Sequence, residues 1–382
     1  MMPKLCVPVV LSLLLSVGCG FEEARRAPGE ITDSVEQTVE LSITGTIGIE
    51  LGDSNYVLGA VQAIDHDLDG NILVLDRSAC CVRVYSPQGE FLRQISNEGS
   101  GPGEILNPMT MTVAGDGRIF IITPWSGGMH AFTTEGEWLG IATPFYNNPP
   151  MNTAGADSNA YVAIRLEVLP DVDGNLQVTT FIGRYEEGEE PTVKYWEYEF
   201  PFDPNDLTAL LRNTVMGHVF TADRDGNVFI AQMTSDEYLV RGFHADGELF
   251  LEIGQDVDRV EKTPEEISEE EIYVIAYLES MSASGVAMEY NADPYRNTIS
   301  EIEVDGEKRI WVRRGTVLEP VFDVYDFSGE TLFTASLSEA GSALTADDNF
   351  GFWDFTIDEQ GIIAYSINPD LFQQVYILEL AE

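Results

Sequence analysis

Four aspartates in the first third of the chain have the spacing of a calcium-binding loop. Asp65, Asp67 and Asp69 alternate, Gly70 follows them, and Asp76 stands where such a loop normally ends in glutamate. Carboxylate oxygens at this spacing suit Ca²⁺, a hard cation that prefers oxygen ligands. Helices should flank a loop of this kind, but here the neighbouring residues alternate as strands do. We keep these aspartates as candidate metal ligands, while an ordinary hairpin turn explains the same residues.

The sequence contains no other recognisable metal or catalytic motif. Its four histidines, His66, His130, His218 and His244, lie in different local settings, and we expect each to be an ordinary surface or strand residue. The glycine-rich segment 99–104 lacks the Gly-Lys-Ser/Thr ending of a phosphate-binding loop, and no Gly-x-Ser-x-Gly nucleophile motif occurs. The sequence therefore names no catalytic residue and predicts no cofactor apart from a possible calcium ion or another divalent metal ion.

The N-terminal segment is predicted to direct export. Lys4 precedes the apolar run 5–15, which is shorter than the roughly 20 residues that span a bilayer. Leu15-Ser-Val-Gly-Cys19 resembles the lipobox of bacterial lipoproteins, which implies removal of residues 1–18 and a lipid on Cys19. Gly20 resembles the residue that follows the cysteine in outer-membrane lipoproteins, so we expect an outer-membrane location in the cell envelope. The alternative is a cleaved signal peptide with an incidental cysteine.

The charge of the chain excludes one large class of partner. Acidic residues outnumber basic ones by 65 to 20, which gives a formal net charge of −45. Nucleic-acid binders need a basic surface, so this chain is not one of them. Because an acidic surface repels anionic lipids, we expect membrane contact only through Cys19, with the polar residues 19–38 as a flexible tether. We also expect a monomer.

A repeated pattern of short strands dominates the rest of the chain. Two consecutive hairpins, each with a glycine in its turn, recur at 63–95, 109–142, 219–253 and 299–337. The two turn glycines of each unit are 19, 19, 21 and 23 residues apart: Gly70 and Gly89, Gly117 and Gly136, Gly226 and Gly247, and Gly306 and Gly329. Glycine in such turns adopts the positive φ that tight hairpins require. With a divergent unit at 154–200 and a last unit at 352–380, the pattern predicts an all-β, six-bladed β-propeller of four-stranded antiparallel blades. Seven blades remain an alternative.

Two segments fall outside the repeat. The last unit is short of one strand, and 39–49 alternates like a strand, so we predict that it completes the last blade and closes the ring over 39–382. Thr263-Pro-Glu-Glu266 is a capping box that predicts a helix between blades 4 and 5, within an insertion at about 263–298. The apolar face of this helix is Ile267, Val274, Leu278 and Met281, opposite the acidic run 269–271. The helix covers one end of the propeller or serves as a lid over a ligand.

These motifs resemble a known group of propellers. Asp67-x-Asp-Gly-Asn71, Val82-Arg-Val-Tyr85 and Gly89-Glu-Phe-Leu-Arg93 are similar to the NHL repeat. Gly99-Ser-Gly-Pro-Gly-Glu104 and Ile310-Trp-Val-Arg313 resemble segments of NHL-like and TolB-like bacterial lipoproteins. The resemblance implies a six-bladed propeller that acts as an interaction platform. A minority of such propellers are metal-dependent lyases or lactonases, which collect histidines or carboxylates around the central channel.

The blades can be aligned to test for such a metal site. Eight residues before the first turn glycine lie Gln62, Met109, His218, Thr298 and Trp353. This level of the channel contains one histidine and no acid. We therefore expect a binding module for a protein or a small ligand rather than an enzyme. The alternative is a metal-dependent hydrolase or lyase with its site in the central channel.

Overall fold

The computed structural model describes residues 37–123, 128–145, 149–150, 152–186, 188–203, 206–214, 216–281, 289–337, 353–366 and 372–381, without the side chains of 207 and 276–281. Residues 37–382 form one compact unit. Cys19, the predicted signal peptide and most of the predicted tether lie outside the described residues. Within the described residues, no helix is long and apolar enough to cross a membrane.

The described strands form six blades, each of four strands in antiparallel order. Blades 1 and 2 contain β2 (Val61–His66), β3 (Ile72–Asp76), β4 (Cys81–Tyr85), β5 (Phe91–Ile95), β6 (Thr110–Val113), β7 (Ile119–Thr123), β8 (Gly128–Phe132) and β9 (Trp138–Thr143). Blades 3 and 4 contain β10 (Asn152–Gly155), β11 (Tyr161–Pro170), β12 (Leu176–Tyr185), β13 (Val193–Pro201), β14 (His218–Ala222), β15 (Val228–Gln232), β16 (Tyr238–Phe243) and β17 (Leu249–Gln255). The predicted all-β, six-bladed propeller is confirmed.

The N-terminal strand closes the ring. Blade 5 contains β18 (Ile299–Val304), β19 (Ile310–Arg314), β20 (Val321–Tyr325) and β21 (Thr331–Leu337). Blade 6 contains β22 (Trp353–Asp358), β23 (Gly361–Ser366) and β24 (Val375–Leu380), and β1 (Thr38–Ile47) is its fourth strand. As predicted for 39–49, β1 pairs antiparallel with β24. Its first residues also pair in parallel with β21, so blades 5 and 6 share one eight-stranded sheet.

Apolar side chains hold the blades together face to face. Between blades 1 and 2, for example, Leu75 and Val82 pack in one cluster with Met111 and Ile121. Similar clusters lie between the other neighbouring blades, since alternating strand residues present an apolar face to each side. The first strand of each blade is its innermost, and these six strands surround the central channel.

The predicted insertion is a helix with the predicted cap. Helix α1 (Leu207–Arg212) lies between blades 3 and 4, and α2 (Pro264–Met281) lies between blades 4 and 5. The Thr263 hydroxyl accepts from the backbone N–H of Glu266 at 3.2 Å, and the Glu266 carboxylate accepts from that of Thr263 at 2.8 Å, so the capping box is confirmed. Val274 is buried on α2, as predicted, and Ile267 is half-buried. The side chains of the other two predicted face residues, Leu278 and Met281, lie outside the described residues.

The acidic run on α2 is not simply solvated. Glu270 accepts from the Tyr290 hydroxyl at 2.8 Å, and Glu271 accepts from the backbone N–H of Ala292 at 3.1 Å. These bonds fasten the segment after the helix back onto α2. Tyr273 is one of the neighbours that raise the pKa of Tyr365, after burial, which places α2 close to blade 6.

Candidate functional site

The central channel contains a polar cavity of about 170 Å³ that all six inner strands line. This volume is far above the roughly 10–15 Å³ that one water molecule needs. Because the channel is six-sided and the inner strands differ in sequence, its walls differ in charge. Its two ends are distinct: the inner strands begin at one end, and the first hairpin turns of the blades lie at the other, which we name the turn end.

One half of the channel is acidic and the other half is neutral. The inner strands of blades 5, 6 and 1 contain five carboxyl groups, which we name the acidic wall: Glu301, Glu303, Asp354, Asp358 and Asp65. The inner strands of blades 2, 3 and 4 contribute hydroxyl groups instead, the neutral wall: Thr110, Thr112, Thr153 and Thr221. A ligand in the channel would therefore contact carboxyl groups on one side and hydroxyl groups on the other.

Glu303 lies in the middle of the acidic wall. Its carboxylate accepts a hydrogen bond from the Thr221 hydroxyl of the neutral wall at 3.2 Å. Burial raises the pKa of Glu303 well above its usual value, and the charges of Glu301 and Asp354 raise it further. The Thr221 hydroxyl opposes this only in part. Glu303 is therefore a carboxyl group that holds its proton more tightly than an ordinary glutamate does.

A buried arginine accompanies the two carboxyl groups nearest the start of the inner strands. Arg313 Nη1 lies 3.6 Å from Glu301 Oε2 and donates to the Trp353 carbonyl at 2.7 Å, and the backbone N–H of Phe355 donates to Glu301 at 2.6 Å. Burial still raises the pKa of Glu301 and of Asp354, and it lowers the pKa of Arg313. One guanidinium thus lies beside two carboxyl groups, so its positive charge can balance only part of the negative charge of the acidic wall.

The turn end of the acidic wall contains a carboxyl–histidine pair. His66 Nδ1 and Asp358 Oδ1 lie 3.0 Å apart across the boundary of blades 1 and 6. Burial acts to raise the pKa of Asp358, but the hydrogen bond and charge of His66 lower it overall. Asp65 accepts from the backbone N–H of Val113 at 2.7 Å, and burial raises its pKa to about 6 against the opposing charge of Arg224. Groups with shifted pKa values that meet in a concave site are typical of functional sites.

Close contact between blades 2 and 3 shapes the neutral wall. A Cβ atom on Gly155 of β10 would overlap the carbonyl oxygen of Val113 on β6. Glycine is required here because the two inner strands approach so closely. The Val113 carbonyl is thereby held at the channel, where it accepts from Arg224 Nη1 at 2.6 Å.

The four candidate calcium ligands do not meet at one point. Asp67 accepts from the backbone N–H groups of Asp69 and Asn71 at 3.0 and 2.8 Å, and so orders the hairpin turn. Asp76 accepts from three backbone N–H groups and from Arg83, which lower its pKa although burial acts to raise it. Asp69 is exposed, and Asp65 faces the channel. Across the described ranges, no group of three or more His, Cys, Asp or Glu side chains is arranged to hold a metal ion.

The histidines and the cysteines of the blades are dispersed. His130 stacks on Phe132, and His244 Nδ1 lies 2.9 Å from the Asn227 side-chain oxygen. His218 is buried beside Trp196, and burial lowers its pKa to about 4. Cys80 and Cys81 are both buried and are not joined to each other, and burial raises the pKa of Cys81 to about 11.

Alignment of the blades on the first turn glycine does not reveal the acidic wall, for two reasons. The aligned positions lie at another level of the channel, and blade 5 is aligned out of register. In blade 5 the residue with positive φ in the first turn is Lys308, at 58°, and not the predicted Gly306. Asp305 begins that turn as Asp67 does in blade 1, since each accepts the turn-closing backbone hydrogen bond. Two residues before these aspartates lie Glu303 and Asp65. Alignment on the first turn aspartate would have revealed these two acids.

Comparisons with known proteins agree with this fold. A family model described as a 6-bladed beta-propeller, DUF5128, matches residues 52–132. No curated protein matches the chain.

Solved structures with similar folds have low sequence identity to the chain. Virginiamycin B lyase of Staphylococcus aureus is 10% identical, covers 90% of this chain and 100% of its own, and has a TM-score of 0.44. Regucalcin, a calcium-binding protein of Agrobacterium tumefaciens, is 9% identical over 90% and 96% of the two chains, with a TM-score of 0.43. A DUF4221 family member from Bacteroides vulgatus is 11% identical over 91% and 99%, with a TM-score of 0.42. The described sheets and the family model together identify a six-bladed β-propeller.

Proposed function

We propose that the protein is a binding module whose ligand is a small organic cation held in the central channel. One observation carries the proposal: Glu303 is a half-buried carboxyl group that lines the channel, and its strongest neighbouring charges are other carboxyl groups. Such a site is incomplete electrostatically, because each further ionised carboxylate repels those already present. A ligand ammonium or guanidinium group would supply the missing positive charge, and it would donate hydrogen bonds to the carboxyl groups that it contacts.

Binding of a cation should be coupled to loss of a proton from the acidic wall. A positive charge beside Glu303 favours its ionised form, so the group releases its proton as the ligand enters. By linkage, the affinity for a cation then rises with pH until Glu303 is ionised in the free protein. The neutral wall would complete the site with Thr112 and Thr221, whose hydroxyl groups both donate and accept.

The alternative from the sequence is a metal-dependent hydrolase or lyase in the same channel. It would need several ligand side chains at one point, usually three or more. The described acidic wall instead spreads its carboxyl groups along the inner strands of three blades. We therefore propose the binding function first.

We also propose that this module is held in the cell envelope, at the outer membrane, by a lipid on Cys19. The order of Lys4, the apolar run and Leu15-Ser-Val-Gly-Cys19 supports this proposal. We expect the intact mass of the native protein to lack residues 1–18 and to include acyl chains, and Cys19→Ala should release the protein from membranes. A native mass without acyl chains would contradict it.

Removal of the central carboxyl group should weaken cation binding. We expect calorimetry to detect binding of agmatine, which has a guanidinium and an ammonium group, and Glu303→Gln to weaken it at least about tenfold, since a hydrogen bond to a charged group contributes about 1.5–3 kcal/mol. Proton release should appear as a heat that depends on the ionisation enthalpy of the buffer. Glu330→Gln, which changes an exposed turn residue, is the matched control.

The dependence of binding on salt distinguishes a cation bound in the channel from one attracted to the negatively charged surface. A protein with a net charge of −45 attracts any cation to its surface, but about 0.15 M salt screens exposed charges beyond roughly 8 Å. Buried pairs are screened less, so channel binding should persist in that salt. Equal binding by wild type, Glu303→Gln and Glu330→Gln would refute the proposal.

The acidic wall should also make the fold less stable as the pH rises above 6.5. Glu301, Glu303 and Asp354 bind their protons more tightly in the folded than in the unfolded chain, so this stabilisation is complete below about pH 4 and is lost as the pH rises through their folded pKa values. His218, whose pKa burial lowers to about 4, has the opposite effect, but only below its ordinary value near 6.5.

Denaturant unfolding between pH 6.5 and 8.5 measures this effect without interference from His218. We expect wild type and Glu330→Gln to lose stability over this range, and Glu303→Gln to lose less, by on the order of 1–3 kcal/mol. If the free energy of unfolding changed equally with pH in all three proteins, the pKa of Glu303 would not be raised in the folded chain.

A further inference from the structure

One basic side chain crosses the turn end of the channel. Arg224 is the second residue of the turn Asp223-Arg-Asp-Gly226, which joins β14 to β15 in blade 4. The corresponding turn residues of the other five blades include no lysine or arginine: Leu68, Gly115, Asp157, Gly306 and Glu359. Among the six first turns, Arg224 is thus the only basic residue at this second turn position.

The contacts of Arg224 lie in two other blades. Its Nη1 donates to the Val113 carbonyl of blade 2 at 2.6 Å. Its Nε lies 3.3 Å from Glu359 Oε1 of blade 6, and the arginine side chain is 22% exposed. Blades 2, 4 and 6 are every second blade of a six-membered ring, so they surround the channel on three sides. A side chain that begins in one of them and contacts the other two has to lie across the opening.

The same side chain neutralises part of the acidic wall. Arg224 acts to lower the pKa of Asp65 and of Asp358, which lie in blades 1 and 6. Its guanidinium therefore lies near the turn end of the acidic wall, where a ligand cation would also be attracted. The Val113 carbonyl that accepts from Arg224 also lies against Gly155, where blades 2 and 3 approach closely.

We propose that Arg224 closes the turn end of the channel, as a removable side-chain bolt between blades 2, 4 and 6. Swinging the side chain out breaks one hydrogen bond and one ion pair, and exposes the cavity at this end without any change in the blades. The bolt would regulate access to the site of the proposed function. Only this regulatory role rests on the proposed function; closure of the channel by Arg224 does not. Access itself can be measured without any ligand.

The test is the rate at which a cysteine inside the channel reacts. Thr112 is buried beside Val113, and its Oγ1 lies 3.5 Å from Asp65, so Thr112→Cys places a thiol just inside the bolt. The probe is a positively charged methanethiosulfonate reagent, and peptide mass analysis identifies the modified cysteine. We expect Arg224→Ala to accelerate modification of Thr112→Cys at least about tenfold, whereas Arg118→Ala leaves the rate unchanged. Arg118 is the matched control, because it pairs with Asp116 in the first turn of blade 2.

The two buried native thiols report on folding in the same experiment. If Arg224→Ala disrupts the fold, the reagent also modifies Cys80 and Cys81. The experiment is then carried out with Arg224→Gln and Arg224→Lys instead of Arg224→Ala. Glutamine cannot reach both partners and should accelerate the reaction, while lysine should do so less because it keeps the positive charge. Unchanged rates in folded Arg224 variants would overturn the bolt. The proposed cation site would fail separately, through equal agmatine binding by wild type and Glu303→Gln.

Discussion

Closure of the ring by β1 is the constraint on which the rest of the structure depends. This strand pairs antiparallel with β24 and, at its first residues, in parallel with β21. The pairing supplies the fourth strand of blade 6 and ties the outer edges of blades 5 and 6 together. Once the ring is closed, six inner strands with separate positions in the sequence face one narrow channel. Carboxyl groups from blades 5, 6 and 1 can then approach one another closely.

The acidic wall is unfavourable for the stability of the fold, and this is why we propose it as a ligand site. An uncompensated buried charge is far less stable than the same group in water, so the group keeps its proton or finds a partner. Arg313 and His66 are partners of some of these carboxyl groups, and the pKa of Glu303 is raised well above its usual value. A packed core of apolar residues would avoid the problem altogether. We propose that a ligand in the channel supplies the positive charge and the hydrogen bonds that these carboxyl groups lack.

The sequence was sufficient for the architecture because local signals repeat in it. Turn glycines such as Gly70 and Gly226 have positive φ as predicted, and the capping box at Thr263 begins a helix. The channel was harder to predict. Lys308 takes a left-handed turn position that normally favours glycine, so alignment on Gly306 shifted blade 5 by two residues. The contact of Arg224 with Val113 joins residues 111 positions apart, and no local pattern indicates it.

The most direct measurement of the central claim is the protonation state of the acidic wall in the free protein. Infrared spectroscopy distinguishes the carbonyl stretch of a protonated carboxylic acid from the bands of ionised carboxylates. At pH 6.5 we expect wild type to show the protonated band, Glu303→Gln to lose part of it, and Glu330→Gln to retain it. Absence of the band in wild type would show that the acidic wall is fully ionised, and would contradict the account of an electrostatically incomplete channel.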